Sequence, residues 1–318
     1  MKYLLTGDFH VKKGIFTNII LDYLDYIRQY SLDNDIKNII IMGDIFDKSS
    51  NIKNEAFVPL FMKFYDMKMD GIKFYFILGN HDIYSVNNDS IVETFKPLGF
   101  VIKQTTYEDK FSFMPYTRNE EDIPETGDIL FTHIPIADFS FDNAYHATEK
   151  HAFRKELFSQ FNIVFTGHFH RHQHDKNIVY TGSPVQLNFG EEGQKKGFVI
   201  FDSVLEDWEF VEYKNSPKFV RINLNDFQDF NPINKFVGVK IDAKIENFIK
   251  LKRILLDKGA IDVVPFFERK EDIEVGQIDN LKEFSSIKDT IREYISKVEE
   301  ENIDNKKLLK IFEKVLEA

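Results

Sequence analysis

Short apolar runs rich in β-branched and aromatic residues recur through the first two hundred positions of the chain. They are separated by stretches whose apolar residues return every three or four positions. The runs predict strands at 3–7, 38–43, 73–79, 128–133, 162–167, 177–182 and 197–202, and the spaced stretches predict helices near 18–30, 54–69, 89–95 and 152–161. In the first helix Ile19, Ile20, Tyr23, Leu24 and Ile27 define one face. Strands alternating with helices of this length predict an α/β layered structure with covered sheets.

Nearly every predicted strand ends in a polar cluster: GDFH, GDIFD, GNHD, TH and GHFH. Ligands of open α/β sheets bind at the carboxyl ends of the strands, so these clusters are expected to converge in space.

After about Tyr213 the pattern changes. Residues 236–242 predict a strand, 245–257 a helix stopped by Gly259, and 261–267 a second strand, together a small α+β unit. The charged stretch 268–274 predicts a linker. Phe284, Ile287, Ile291, Ile295 and Val298 then mark one amphipathic helix, and Leu308, Leu309, Phe312, Val315 and Leu316 mark another. Such a terminal pair either packs on its own domain or serves as a docking module.

Composition narrows the picture. The chain has 318 residues, 43% apolar and 29% charged, enough for a sizeable core. It has no cysteine, which excludes disulfides, zinc–thiolate sites, iron–sulfur clusters and a thiol nucleophile. An acidic residue comes too early for a signal peptide, and no membrane-length apolar run follows, so a soluble cytoplasmic chain is expected. Abundant Phe, Ile, Asn and Lys hint at a phage or low-GC bacterial source, in which case the location is the host cytoplasm. The formal charge of −11 by itself argues against a nucleic-acid partner.

The strand-end clusters carry the chemistry. Asp8 and His10, Asp44, Asn80 with His81 and Asp82, His133, then His168 and His170 offer carboxylate, imidazole and amide donors without a thiolate. That donor set suits Mn²⁺, Fe²⁺ or Zn²⁺. It is too large for one ion, whereas two ions roughly 3.5–4 Å apart sharing a carboxylate would use it all. Singly, each fragment has an ordinary reading: local hydrogen bonding for D-x-H, turn chemistry for GNHD, a core histidine for His133. Five of them in order at strand ends predict a dinuclear site.

D-x-H, GD-x-x-D, GNHD, a lone His and GH-x-H in this order resemble the calcineurin-like metallophosphoesterase superfamily over residues 3–202. The resemblance implies a four-layer α/β/β/α sandwich with two metals at its top. It implies that Asp8, His10, Asp44 and His170 hold one ion, while a bridging Asp44, Asn80, His133 and His168 hold the other. His81 would orient the phosphate and protonate the leaving oxygen, and Asp82 would hold the His81 imidazole. The ions would polarise the phosphoryl oxygens and acidify a water.

Within the superfamily, GDIFD followed by a helix is similar to the double-strand-break repair nucleases of the bacterial SbcD and phage recombination type. So is YTGSPVQLNFGEEGQKKGFVIFD at 180–202. Asp47 stands where the archaeal and eukaryotic branch has histidine. It is expected either to orient a ligand or the phosphate, or to cap a turn. This resemblance implies a metal-dependent DNA nuclease, Mn²⁺ being the expected ion and Mg²⁺, Fe²⁺ or Zn²⁺ the alternatives. It would act 3′→5′ on duplex ends and endonucleolytically on single strands or hairpins, in DNA repair or recombination. It would form a homodimer with an SbcC-type SMC-like ATPase bound to the C-terminal helices, and no membrane. The expected organisation is a nuclease core at 1–214, a small α+β capping domain at 215–270, and a linker with a C-terminal helical pair at 271–318.

Lys12, Lys13, Tyr84, Asn87 and Arg171 follow the motifs and are candidate DNA contacts. Dimer contacts are expected from the helix at 54–69, with Phe57, Phe61, Phe64 and Tyr65, and from that near 89–95; core packing is the alternative for the phenylalanines. His146, His151, His172 and His174 receive no role. The competing functions are a non-nuclease metallophosphoesterase (a phosphatase or cyclic-nucleotide phosphodiesterase) and a DNA-end tethering scaffold. The charge is compatible with DNA after all: residues 108–128 carry a net −5 outside every metal motif, and two divalent ions would add positive charge at the site. What remains expected is weak, salt-sensitive DNA binding that depends on a complex.

Overall fold

The computed structural model describes residues 1–266 apart from 49–51, 86, 141–146, 149, 224–226, 228 and 241–244. The expected linker, the C-terminal helical pair and His146 lie outside the described residues. Residues Met1–Phe267 form one compact unit.

Two six-stranded sheets make the core. In the first, β1 (Lys2–Thr6), β2 (Asn38–Ile41), β3 (Lys73–Ile77) and β4 (Gly99–Ile102) run parallel. The antiparallel strands β11 (Gly197–Asp202) and β12 (Asp207–Glu212) extend it beyond β1, giving the order β12-β11-β1-β2-β3-β4. The second contains β5 (Thr106–Glu108), β6 (Phe111–Met114), β7 (Ile129–Thr132), β8 (Ile163–Thr166), β9 (Gln173–Asp175) and β10 (Ile178–Tyr180), in the order β5-β6-β7-β8-β10-β9. Here β6, β7, β8 and β10 are parallel, and the two edge strands antiparallel.

Side-chain alternation sorts each central strand between two cores. Leu5, Ile40, Tyr75 and Ile77 face the second sheet and pack on Phe113, Phe131, Phe165 and Val199. Rings stack through this layer from Tyr75 to Phe113, Phe131 and Phe165 at centroid separations of 5.2–5.6 Å. Leu4, Ile39, Ile41, Phe74 and Phe76 face outward, onto helices α1 (Ile15–Asp33) and α2 (Asn54–Met69). Cover on both faces is why these strands read as unbroken apolar runs. The outer face of the second sheet is covered by Phe139, Phe153, Phe158 and Phe161. This fourth layer is made of loops and a short 3₁₀ turn, Lys155–Phe158, where the spacing predicted a helix at 152–161.

The helix expected near 89–95 is likewise a 3₁₀ turn, Ile91–Phe95, started by Ser90 Oγ accepting from the Val92 N–H. Strands β4, β5, β6, β9 and β12 were not predicted. Of these β4, β5, β9 and β12 are sheet edges, where one flank lacks a neighbour and polar residues are tolerated.

A third sheet of parallel strands follows: β13 (Lys218–Asn223), β14 (Lys235–Lys240) and β15 (Asp262–Phe266), with α3 (Ile245–Asp257) between the last two. Leu251 and Leu255 of α3 pack on Val237, Val239 and Val263. Phe236 stacks on Phe16 and Phe219 and joins these strands to the main core. β13 was not predicted and supplies one flank of β14.

Candidate metal centre

The parallel strands of both sheets stop at one end, and the loops leaving them carry the polar clusters. The loops after β1 and β2 continue side by side: Asp8 N–H donates to Gly43 O at 2.9 Å, His10 N–H to Asp44 O at 3.0 Å and Val11 N–H to Ile45 O at 2.9 Å. This continued pairing brings Asp8, His10 and Asp44 together. Four donors, Asp8, His10, Asp44 and His168, have left-handed backbone with φ of 52°, 45°, 50° and 87°. Such conformations cost about 1–3 kcal/mol each in non-glycine residues and gather at functional sites. Gly43, at φ 94°, lies against the His133 ring, and Gly79 against the Asp44 carboxylate. A side chain at either would occupy the space of a candidate ligand.

Two groups result, linked by a third that contains His10, Asp44 and His81. Asp8, His10 and His170 form one, Asp44, His133 and His168 the other, with donor atoms in each within 4.8 Å of one another. Asp44 Oδ2 lies between them, 3.6 Å from His10 Nε2 and 3.2 Å from His133 Nε2. Asn80 Oδ1 joins the second group, 3.2 Å from His133 Nε2 and 2.9 Å from His168 Nδ1. The structure thus brings together all seven residues expected as ligands. His133 donates from Nδ1 to Met42 O, which turns Nε2 toward the site. Nε2 of His10 and His170 face each other at 3.0 Å.

The charges are those of a cation receptor. Asp8 and Asp44 are buried, and among the described residues neither pairs with lysine or arginine; histidines face them instead. Burial pushes the Asp8 carboxyl up. For Asp44 burial acts in the same sense, but His133 and His10 outweigh it and hold the carboxyl below its ordinary range. Burial alone would lower His133, yet Asp44 and Asp8 raise it to about 9. His10 and His168 are driven down to about 3, by burial first and by neighbouring imidazoles second. Buried carboxylates, imidazoles and an amide oxygen, with no thiolate, fit divalent metal ions of the Mn²⁺, Fe²⁺ or Zn²⁺ kind.

His81 stands at the rim. Its N–H donates to Asp44 Oδ1 at 2.8 Å, its Nδ1 lies 2.6 Å from Asp47 O, and its ring meets His10 edge-on at 4.7 Å. The expectation that Asp82 holds the His81 imidazole is corrected. Asp82 is fully buried and accepts from the N–H groups of Ile45, Phe46 and Gly79 at 3.0–3.3 Å, tying the loops after β2 and β3 together. The tight turn after Gly79 points this carboxylate inward, away from the ring beside it in sequence. Burial and the Asp44 charge raise its carboxyl to about 7. The Asp47 side chain lies 4.0 Å from His10 Nδ1.

Lys12 and Lys13 border a cavity with Asp47, although Lys13 pairs with Glu55 at 2.7 Å and Lys12 lies over the Phe16 ring. Tyr84 and Asn87 are exposed on the loop after β3, and Arg171 borders a separate cavity with His172 and Glu192. None of these five contacts a candidate ligand side chain. His172 stacks on Phe210 at 4.1 Å, and burial lowers it to about 4. His174 packs edge-on to Trp208, and His151 lines a cavity that reaches His168. Phe64 of α2 is fully buried and Phe57 and Phe61 pack beside it, so these phenylalanines are core.

Sequence reasoning missed two groups. Glu191 and Lys196 form a buried ion pair at 2.7 Å against His170. Tyr116, after β6, lies near-parallel to His168 at 6.1 Å and edge-on to His133 at 6.4 Å.

A family model described as calcineurin-like phosphoesterase matches residues 1–214. Exonuclease subunit 1 of Enterobacteria phage T4 is 26% identical over 322 residues, covering 89% of this chain and 91% of the phage protein. Among solved structures, an archaeal phosphodiesterase shares 12% identity at TM-score 0.37, over 67% of this chain and 99% of its own. The Pseudomonas putida nuclease MPE shares 15% at TM-score 0.35, over 63% and 83%.

Proposed function

The chain belongs to the calcineurin-like phosphoesterase family, and from that premise we propose that this metal-dependent hydrolase is a DNA nuclease subunit. The observation that carries the reading is the pair of donor groups with the Asp44 carboxylate between them, in a chain that aligns along most of its length with a phage exonuclease subunit. Asp8, His10, Asp44 and His170 would hold one ion, and Asp44, Asn80, His133 and His168 the other, with Mn²⁺ the favoured metal. When bound, two such ions supply Lewis-acid polarisation of the phosphoryl oxygens and acidify water.

The chain's own residues do the rest. His81 Nδ1–H donates to Asp47 O, leaving Nε2 as the nitrogen that orients the phosphate and delivers a proton to the leaving oxygen. Asp82 keeps the two loops at fixed separation through its three N–H bonds. Lys12 and Lys13 beside Asp47, and Tyr84, Asn87 and Arg171 further out, are proposed to contact the DNA backbone.

The enzyme is proposed to act in the cytoplasm in DNA repair or recombination. It would digest duplex ends 3′→5′ and cut single strands or hairpins, with residues 215–270 capping the DNA. Residues 271–318 are proposed to dock an SMC-like ATPase. A homodimer is favoured by α2, on which Val58, Met62, Tyr65 and Met69 are exposed at helical spacing. Among the described residues no helix is long and apolar enough to cross a membrane.

End-labelled duplex and hairpin DNA incubated with the full chain and Mn²⁺, with and without a candidate ATPase partner, tests the reading. Metal-dependent products that His81→Asn abolishes are expected. Absence of products in every arm, or a His81→Asn variant matching wild type, contradicts it.

A further inference from the structure

We propose that Tyr116 and Arg118 form a nucleotide-binding subsite beside the metal centre, the Tyr116 ring supporting a nucleobase next to the scissile phosphate and Arg118 taking the adjacent backbone phosphate. The proposal rests on the nucleic-acid reading above and specifies how the same site would recognise its substrate.

The geometry comes from the connection after β6. Tyr116 N–H donates to Leu78 O at 2.8 Å, which fixes the connection to the end of β3 just before the Asn80 loop. From there the half-buried ring reaches His168 and His133, two residues of the same donor group. Arg118 is exposed and donates from Nε to the Tyr116 hydroxyl at 2.8 Å. That bond leaves the outer edge of the guanidinium for an anion, since Arg118 forms no ion pair among the described residues.

Tyr116, Arg118 and the candidate ligand Asn80 line two cavities, of about 560 and 420 Å³. Each is of a size that small ligands occupy. Lys103, paired with Glu93 at 3.0 Å, and Asp122 also line the first, and Lys150 and Glu120 the second. A strand whose phosphodiester lies over the donor groups and that leaves through either cavity passes this tyrosine–arginine pair. Aromatic rings take any base by its face, and arginine takes a phosphate oxygen by charge-assisted hydrogen bonds. The connection is part of the acidic segment 108–128, in which Arg118 and Lys110 are the only basic residues; Lys110 is committed to Glu206.

The test compares a single-stranded oligonucleotide with bis(p-nitrophenyl) phosphate, a phosphodiester without bases or flanking phosphates. The full chain with Mn²⁺, wild type and Tyr116→Ala, Tyr116→Trp, Arg118→Gln and Arg118→Lys, is assayed on both. The ratio of kcat/KM for the oligonucleotide to that for the small diester is expected to fall about tenfold in Tyr116→Ala, mainly through KM, and to recover in Tyr116→Trp. Arg118→Gln is expected to raise the oligonucleotide KM and flatten its salt dependence by about one unit of slope, with Arg118→Lys retaining that slope. Parallel loss on both substrates, or an unchanged ratio, overturns the subsite and leaves the nuclease reading standing. A wild-type chain that hydrolyses the small diester but neither binds nor cuts the oligonucleotide overturns both.

Discussion

Glu191 holds the His170 imidazole through a 2.9 Å contact from Nδ1 to Oε1, so Nε2 is the nitrogen presented to the donor groups. The other Glu191 oxygen meets Lys196 Nζ at 2.7 Å. That ammonium also donates to His170 O at 2.7 Å and to Ser183 Oγ at 2.9 Å. Burial acts to raise the Glu191 carboxyl and to lower the Lys196 ammonium; His170 and Lys196 hold the carboxyl below its ordinary range all the same. An anionic partner fixes the tautomer and raises the basicity of the ring. Glu191→Gln is therefore expected to lower Mn²⁺ affinity about 10–100-fold, read by calorimetric titration. Lys196→Met, which leaves a buried carboxylate unpaired, is expected to lower unfolding stability by about 3–5 kcal/mol in urea. Wild-type affinity in the first and an unmoved urea midpoint in the second would contradict this role.

Gly79 is the second pressure point. A methyl group there would enter the space of the Asp44 carboxylate, which lies between the two donor groups. Gly79→Ala is expected to cost about a hundredfold in kcat, since displacements near 1 Å have that effect. Its steady-state kinetics on a small phosphodiester give the answer, and a loss under threefold would show that the loop yields.

The His172 ring provides a pH signature. Burial lowers its pKa to about 4 in the folded chain against an ordinary 6.5. Between those values the unfolded chain binds the proton and the folded chain does not, so stability falls as pH falls. The contribution is fully present above pH 6.5 and is lost on acidification toward pH 4. Urea midpoints of wild type and His172→Asn, measured in chelator from pH 7.5 to 4.5, are expected to converge as pH drops. Parallel curves would mean that the ring titrates normally.

The exposed stripe on α2 makes oligomeric state testable. Met62, 47% exposed, and Met69, 68% exposed, lie on one side of the helix with Val58 and Tyr65. The double variant Met62→Glu/Met69→Glu is expected to elute as a monomer where wild type is a dimer, by light scattering. A dimeric double variant would place the interface elsewhere.

Much of this is legible in the sequence. Central strands covered on both faces read as apolar runs, and their ends declared the donor set because chemistry collects where parallel strands stop. What stayed hidden has particular causes. Edge strand β5, Thr106–Glu108, is exposed throughout and carries no apolar signal. Asp82 adjoins His81 in sequence, but the turn sends its carboxylate to three backbone N–H groups. In GEEGQKK two acids and two lysines are equivalent as text; the loop buries Glu191 and Lys196 and leaves Lys195 in solvent. Tyr116 belongs to no strand-end motif, and only the strand order β6-β7-β8 within the second sheet places it beside His168.

The sharing of Asp44 by two ions is the central claim, and counting bound metal tests it most directly. Equilibrium dialysis of the full chain against Mn²⁺, with protein and metal quantified together, should give two ions per chain, and Asp44→Asn should retain no more than one. A wild-type chain that saturates at one ion, or an Asp44→Asn variant that still holds two with unchanged affinity, would contradict the shared centre.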